Sequence, residues 1–236
     1  MEFTIDLVAV MKIARSESDL AKQEIETLGP LIAYQRSTQR HDERLAQAAD
    51  AQTLDCKAGC AWCCSFSVDL RPVEAFNILQ RIEKTFNSNE KQRLRSEMTK
   101  NSAILSGLDD LQRMRQTIKC PFLAQNQCCI YEARPQTCRN YHATNSAGCQ
   151  QSYEEPDNLE IPPDFAPGVY QAGGAHVEAF SKAMQTAGYD CNAYELNSAM
   201  LELMTDPDSA QRRFEAKLPV FLSIEGTEVI PELIDE

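Results

Sequence analysis

Residues 56–64 read CKAGCAWCC, so Cys56, Cys60, Cys63 and Cys64 bring four of the chain's ten cysteines into nine positions. Cys120, Cys128, Cys129, Cys138 and Cys149 follow in a second segment, and Cys191 stands apart. Thiolates are soft ligands that select zinc, copper(I) and iron–sulfur clusters over magnesium or calcium. Four kinds of chemistry therefore compete for the first segment: a zinc ion, an iron–sulfur cluster, disulfides, or the cluster loop of a radical enzyme. Disulfides belong to oxidising compartments, whereas clustered cysteines in a reducing one more often bind metal or do redox chemistry. The N-terminal stretch opens with an acidic residue, and its apolar run, Leu7 to Met11, is shorter than a signal-peptide core and lacks a small-residue cleavage site. The expectation is a mature cytoplasmic sequence with reduced thiols.

Spacing discriminates further. Structural zinc usually draws on two separated C-x2-C knuckles, and Cys60 with Cys63 supplies one. A cubane cluster accepts three close cysteines from one loop plus a distant fourth. Cys56, Cys60 and Cys63 with one cysteine of the second segment meet that count, so spacing favours 4Fe-4S over zinc. The C-x3-C-x2-C arrangement is also similar to the loop of radical S-adenosylmethionine enzymes. Those enzymes place it after the first strand of a partial α/β barrel, and no strand pattern precedes it here. Successive side chains on an irregular backbone diverge, so Cys63 and Cys64 are not expected to ligate one small ion together.

The second segment, CPFLAQNQCCIYEARPQTCRNYH, starts at Cys120. Taken with CKAGCAWCC it resembles the YkgJ-type cysteine-cluster family, a zinc- or iron-chelating domain with a CxxCxxCC signature. The resemblance lies in the first block, in CPFL, and in C-x-I-Y-E-x-R-P-x-x-C-R, matched by Cys128 through Arg139. It covers roughly residues 56–149 and departs in its first spacing, which is three residues rather than two. It implies a metal-binding protein with Cys56, Cys60, Cys63, Cys64, Cys120, Cys128 and Cys138 at the metal positions, and gives Cys129 no role. A distant member of the broad family, the flagellin lysine methylase, carries a 4Fe-4S cluster and uses S-adenosylmethionine. An iron–sulfur methylase and a structural or catalytic zinc protein are therefore the alternatives it implies. Seven cysteines exceed the four ligands of one site, so either two neighbouring centres exist or some thiols pack as small hydrophobes. Cys149 belongs to a related subset of the pattern.

Other residues are weighed against blander roles. Arg134 and Arg139 flank Cys138, where a guanidinium could offset thiolate charge or simply be ion-paired. His142 follows Cys138 closely enough to share a metal, but a supporting or surface role is the favoured reading. His176 lies on an apolar helical stripe and is expected in the core. Pro135 sets the turn that aims Cys138, Trp62 and Phe122 shield the metal, and Cys129 and Cys191 are expected to be inert thiols. No carboxylate pair stands out as a catalytic acid and base, and Gly173-Gly174 is too sparse for a nucleotide loop. Catalytic and organic cofactor-binding residues are left unassigned.

Composition narrows the partners. The net charge of -12 opposes binding to phosphate backbones or anionic lipid, and no stretch approaches the roughly 20 apolar residues of a transmembrane helix. Nucleic acid and membrane are excluded as expected partners; a protein docking on the terminal helices is retained.

The elements that must position these cysteines read as helices. A helix is expected from Ser16, paired with Asp19 as a cap, to the Gly29-Pro30 stop, with Leu20, Ile25 and Leu28 as its apolar face. A thinner one follows from Leu31 to about Ala51. Pro72 suits a first helical turn, with Val73, Phe76, Leu79, Ile82 and Phe86 at threes and fours. Ser88 begins a polar helix carrying Leu94, Met98 and Leu105, interrupted at Gly107. From Cys120 to about Pro167 the pattern is loop-like. Val169, Gly173, His176, Val177, Phe180 and Met184 mark the next helix, Asn192 starts another with Leu196, Met200 and Met204, and Asp208 a short one through Leu218. Residues 224–236 read as an extended or acidic tail. The prediction is an all-α chain: N-terminal helices (1–55), a cysteine-cluster core (56–150) and C-terminal helices and tail (151–236), forming one domain in which two irregular segments converge on a metal site.

Overall fold

The structure is a computed structural model that describes residues 6–57, 59–161 and 164–228. Its α-helices are α1 (Leu7–Leu28), α2 (Pro30–Gln47), α3 (Pro72–Thr85), α4 (Ser88–Leu105), α5 (Asp110–Met114), α6 (Gln136–Asn140), α7 (Ser146–Glu154), α8 (Pro167–Thr186), α9 (Leu196–Thr205) and α10 (Pro207–Glu215). Four two-residue strands form two antiparallel pairs: β1 (Asp69–Leu70) with β4 (Tyr194–Glu195), and β2 (Leu123–Ala124) with β3 (Gln127–Cys128). The chain is all-α, as its periodicity predicts. No helix among the described residues is long and apolar enough to cross a membrane.

Two helical groups share the core. α1, α2 and α8 pack on one another, and α3, α4 and α10 surround α9, with α2 also touching α3. Phe76, Ile78, Ile82, Leu94, Met98, Phe180, Met184, Met200 and Leu203 are among the side chains they bury. Ends are set as sequence rules dictate: Gly29, at φ 83°, closes α1, and Pro30 opens α2. Asn87 caps α4 by accepting from Glu90 N–H at 3.1 Å while the Glu90 side chain returns to Asn87 N–H.

Several expectations are corrected. α1 begins well before Ser16, capped by Asp6, whose carboxylate accepts Ala9 N–H at 3.0 Å. Its buried face is Ala14, Glu17, Ala21 and Ile25, while Leu20 and Leu28 are exposed. Small side chains face α8 because that helix also presents small residues, Ala172, Gly173 and Ala179, and the backbones approach closely. α9 starts at Leu196 rather than Asn192, since Tyr194–Glu195 is drawn into pairing with β1 and the Glu195 carboxylate caps the helix. The loop-like stretch from Cys120 contains a hairpin, α6 and α7. The expected tail is described only to residue 228, where Thr227 bridges Ala193; its remainder lies outside the described residues.

Candidate metal centre

After Gly59, whose φ is 91°, the first cysteine segment closes into a single 3-10 turn, Trp62–Ser65. In that turn the Cys63 thiol is raised, first by the adjacent Cys64 and then by burial. The end of this turn is joined to the second segment by backbone. Ile118 N–H donates to Ser65 carbonyl at 2.8 Å and Cys120 N–H to Cys64 carbonyl at 2.7 Å. The β2–β3 hairpin follows, with Gln125 and Asn126 at φ 51° and 58° as its two turn residues, pairing Leu123 with Cys128. Cys129 N–H donates to Phe122 carbonyl at 2.9 Å, and the Phe122 ring is fully buried. Pro135, at φ -57° and ψ 158°, stands before α6 and so sets the start of the helix that carries Cys138.

The beginning of the first segment meets a different part of the chain. Ala143 N–H donates to Cys56 Sγ at 3.3 Å, and Asp55 N–H to Ala143 carbonyl at 2.9 Å. The Asp55 carboxylate accepts Ser146 N–H at 2.9 Å and the Ser146 hydroxyl, tying the first turn of α7 to Cys56. α7 then packs on the 3-10 turn, with the Trp62 and Tyr153 rings 5.3 Å apart. Cys149, on the same helix, is buried at 6% exposure.

All ten cysteines are free thiols. Burial pushes the Cys120 thiol up to about 12, reinforced by Cys128 and Cys63. It pushes Cys149 up to about 11, with Cys56, Cys63 and Cys60 adding to the rise. Cys138 is raised by burial and by Cys120, Cys63 and Cys128. Burial also raises Cys128, opposed by Ile130 N–H and the Arg134 charge. The Cys56 residue is exposed, but its sulfur lies against the Ala143 backbone, and partial burial raises it as well. Tyr141, pushed up to about 12 by burial, senses Cys149, Cys63 and Cys56. Among the described residues no three or more His, Cys, Asp or Glu side chains are gathered tightly enough to hold a metal ion. The segments meet, but their thiols form no closed ligand sphere. In kind the donors suit zinc or iron: they are all sulfur, and a multivalent cation is the counterion that lets crowded, buried thiols ionise together.

The surrounding residues separate by role. Arg139, 3% exposed, donates to Asp42 Oδ2 at 2.6 Å and to the Arg134 and Glu132 carbonyls, so it braces α6. Arg134 lies over the Tyr131 ring at 4.0 Å, and its charge acts on Cys63, Cys128 and Cys138. His142 is half-buried, driven down to about 4 by burial and then by the Arg134 charge, and its Nε2 has no hydrogen-bond partner. His176 is fully buried, as expected, with Nε2 2.9 Å from Ser37 Oγ. Cys191 sits apart, its thiol directed at Ser181 carbonyl. Sequence reasoning placed Cys149 only in a related subset of the family pattern and did not count it among the metal positions. Asn145 capping Ala147 N–H, and the one-turn spacing of Cys149 and Tyr153, were the available signals.

No curated protein and no solved structure matches the chain. The family model CxxCxxCC, described as “putative zinc- or iron-chelating domain”, matches residues 55–160. That span holds both cysteine-rich segments, the hairpin, α6 and α7, and leaves α1, α2 and α8 to α10 outside it. The chain's similarity to the CxxCxxCC family therefore lies in residues 55–160, under half of its length.

Proposed function

We propose that this protein binds metal through thiolates of both cysteine-rich segments, and that the metal is iron in an iron–sulfur cluster. The observation that carries the reading is the backbone junction of Cys120 N–H with Cys64 carbonyl at 2.7 Å, which joins the two cysteine-rich segments at these two residues. The candidate ligands are Cys56, Cys60, Cys63, Cys64, Cys120, Cys128 and Cys138. Three close cysteines from one loop with more from another segment suit a cubane better than a zinc knuckle. A bound cluster would supply an electron-accepting centre. Around it the chain's own residues would exclude water with Trp62, Tyr153 and Phe122, donate Ala143 N–H to sulfur, and offset negative charge with Arg134.

The test is anaerobic purification followed by iron, sulfide and zinc determination and a visible spectrum. Iron and sulfide in equal amounts with broad visible absorbance support the cluster. Stoichiometric zinc in a colourless protein replaces it with the zinc reading. A change of the cluster spectrum on adding S-adenosylmethionine would extend the reading to an enzyme.

A further inference from the structure

A narrow cleft of about 10 Å³ opens where the start of α3 meets α2, α6 and α8, and Arg71, Glu74 and Gln136 line it. Glu74 holds the other two in place: Arg71 N–H donates to its Oε2 at 2.6 Å and Gln136 N–H to its Oε1 at 2.8 Å. The Arg71 and Gln136 side chains therefore leave backbone that is bound to the two oxygens of one carboxylate.

The other polar groups around the cleft are already engaged. The Tyr34 hydroxyl donates to Glu74 Oε1 at 3.4 Å, the Ser181 hydroxyl to Val177 carbonyl at 2.8 Å, and the Cys191 thiol is directed at Ser181 carbonyl. The Asp190 carboxylate accepts the Tyr194 hydroxyl at 2.8 Å and the N–H groups of Asn192 and Val220 at 3.0 Å. Two groups are left over. Gln136 is 4% exposed, and its buried Oε1 accepts no hydrogen bond. The buried Nε of Arg71 donates none, and Arg71 forms no ion pair among the described residues. An acceptor and a donor buried without partners are costly to a fold, and both line the same cleft.

The chemistry of the missing partner follows from charge and from this pair. Two carboxylates, Glu74 and Asp190, line the cleft with one guanidinium, so an anion would meet surplus negative charge and a cation would meet Arg71. A neutral group fits, provided that it accepts from Arg71 and donates to Gln136. A hydroxyl carries both functions on one atom, whereas an amide carries them on two, as the cleft does on two residues. We propose that this cleft binds the carboxamide end of a small neutral ligand, its carbonyl accepting from Arg71 Nε–H and its N–H donating to Gln136 Oε1. The volume suits one small polar head group, and the rest of the ligand extends from the mouth. Phe180 and Met184 line the same cleft and keep water from these bonds, which strengthens them.

The experiment titrates the isotope-labelled full-length protein with acetamide, acetate and ethanol, following the Arg71 Nε–H and Gln136 side-chain amide signals by nuclear magnetic resonance. Acetamide is expected to shift both signals saturably and to bind more tightly than the other two probes. Arg71→Met and Gln136→Leu should each weaken acetamide about tenfold, read from the signal that remains. Helical circular dichroism checks that they fold; if Arg71→Met does not, Arg71→Lys, which keeps the charge and loses Nε–H, carries the same expectation. Tighter binding of acetate would make the cleft an anion site, and equal binding of ethanol a hydroxyl site. Either result, unchanged acetamide affinity in the variants, or no saturable shift with any probe overturns the proposal.

Discussion

Arg134 and Arg139 look equivalent in the sequence, each beside Cys138, yet their surroundings give them separate tasks. The Arg139 guanidinium is spent on three oxygens, the Asp42 carboxylate and the carbonyls of Glu132 and Arg134. Partial burial would raise the Asp42 carboxyl, but the neighbouring His41 ring and the Arg139 charge outweigh it and hold the group at about 2. Arg139→Met removes the donors while leaving those oxygens in place, and should cost about 2–3 kcal/mol, read as a lower urea midpoint. Arg134 is stacked on an exposed tyrosine, so Arg134→Gln should cost less than about 1 kcal/mol. Its effect should appear at the metal instead: thiolates deprived of a nearby cation should release metal faster to a chelator. Equal stability losses in the two variants would show that the division of roles is wrong.

At the scale of elements, the α1–α2–α8 group is fastened by a buried polar node. Glu17, fully buried, receives Arg40 at 2.7 and 2.9 Å, Arg44 at 2.9 Å and the Ser37 hydroxyl at 2.8 Å. Glu17→Ala removes the carboxylate that Arg40 and Arg44 share, leaving Arg40 its bond to Glu24, and should cost about 3 kcal/mol in a denaturation experiment. α8 also leans on the candidate site. A Cβ on Gly173 would lie 2.3 Å from Asn140 Oδ1 and 3.2 Å from Leu45, and Asn140 is held 2.7 Å from His41 Nε2. Gly173→Ala should therefore push on α6, costing about 1–3 kcal/mol and loosening Cys138, which a metal-retention assay would register. The helices with large apolar side chains, α3, α4, α8 and α9, were legible because Leu, Met, Ile and Phe recur at helical spacing. α1 was read correctly at Ile25 but misread elsewhere because the rest of its buried face is alanine and a glutamate, which a hydropathy pattern does not mark as core. The hairpin was missed because Gln125 and Asn126 carry its positive φ values without a glycine to mark them. Of the candidate site, both cysteine segments were legible from spacing, whereas Cys149 depended on a short helix held by Asp55, Trp62 and Tyr153, contacts that no local pattern encodes.

For the molecule as a whole, that polar node sets a response to acid. His176 is fully buried, and burial, His41 and the charges of Arg44 and Arg40 drive it down to about 2. Its hydrogen bonds agree with a neutral ring: Arg44 donates to Nδ1, so Nε2 carries the proton and donates to Ser37 Oγ, whose hydroxyl proton goes to Glu17. The folded chain thus refuses a proton that the unfolded chain accepts near pH 6.5. A depressed folded value means that the unfolded state binds more protons between those limits, so stability falls as pH is lowered through about 6.5 and keeps falling towards 2. Asp42 begins to add to the loss only below its ordinary value of 3.8. Between pH 7.5 and 5 the histidine alone should therefore remove about 2 kcal/mol, the free energy of protonating it in the unfolded chain. Urea denaturation at the two values measures the difference, and His176→Gln, which keeps a hydrogen-bonding side chain without a titrating ring, should reduce it by that amount, leaving the share of His142, which is also held down, at about 4. A wild-type protein equally stable at both values would mean that the ring is protonated in place, and that Arg44 does not hold it as a neutral acceptor.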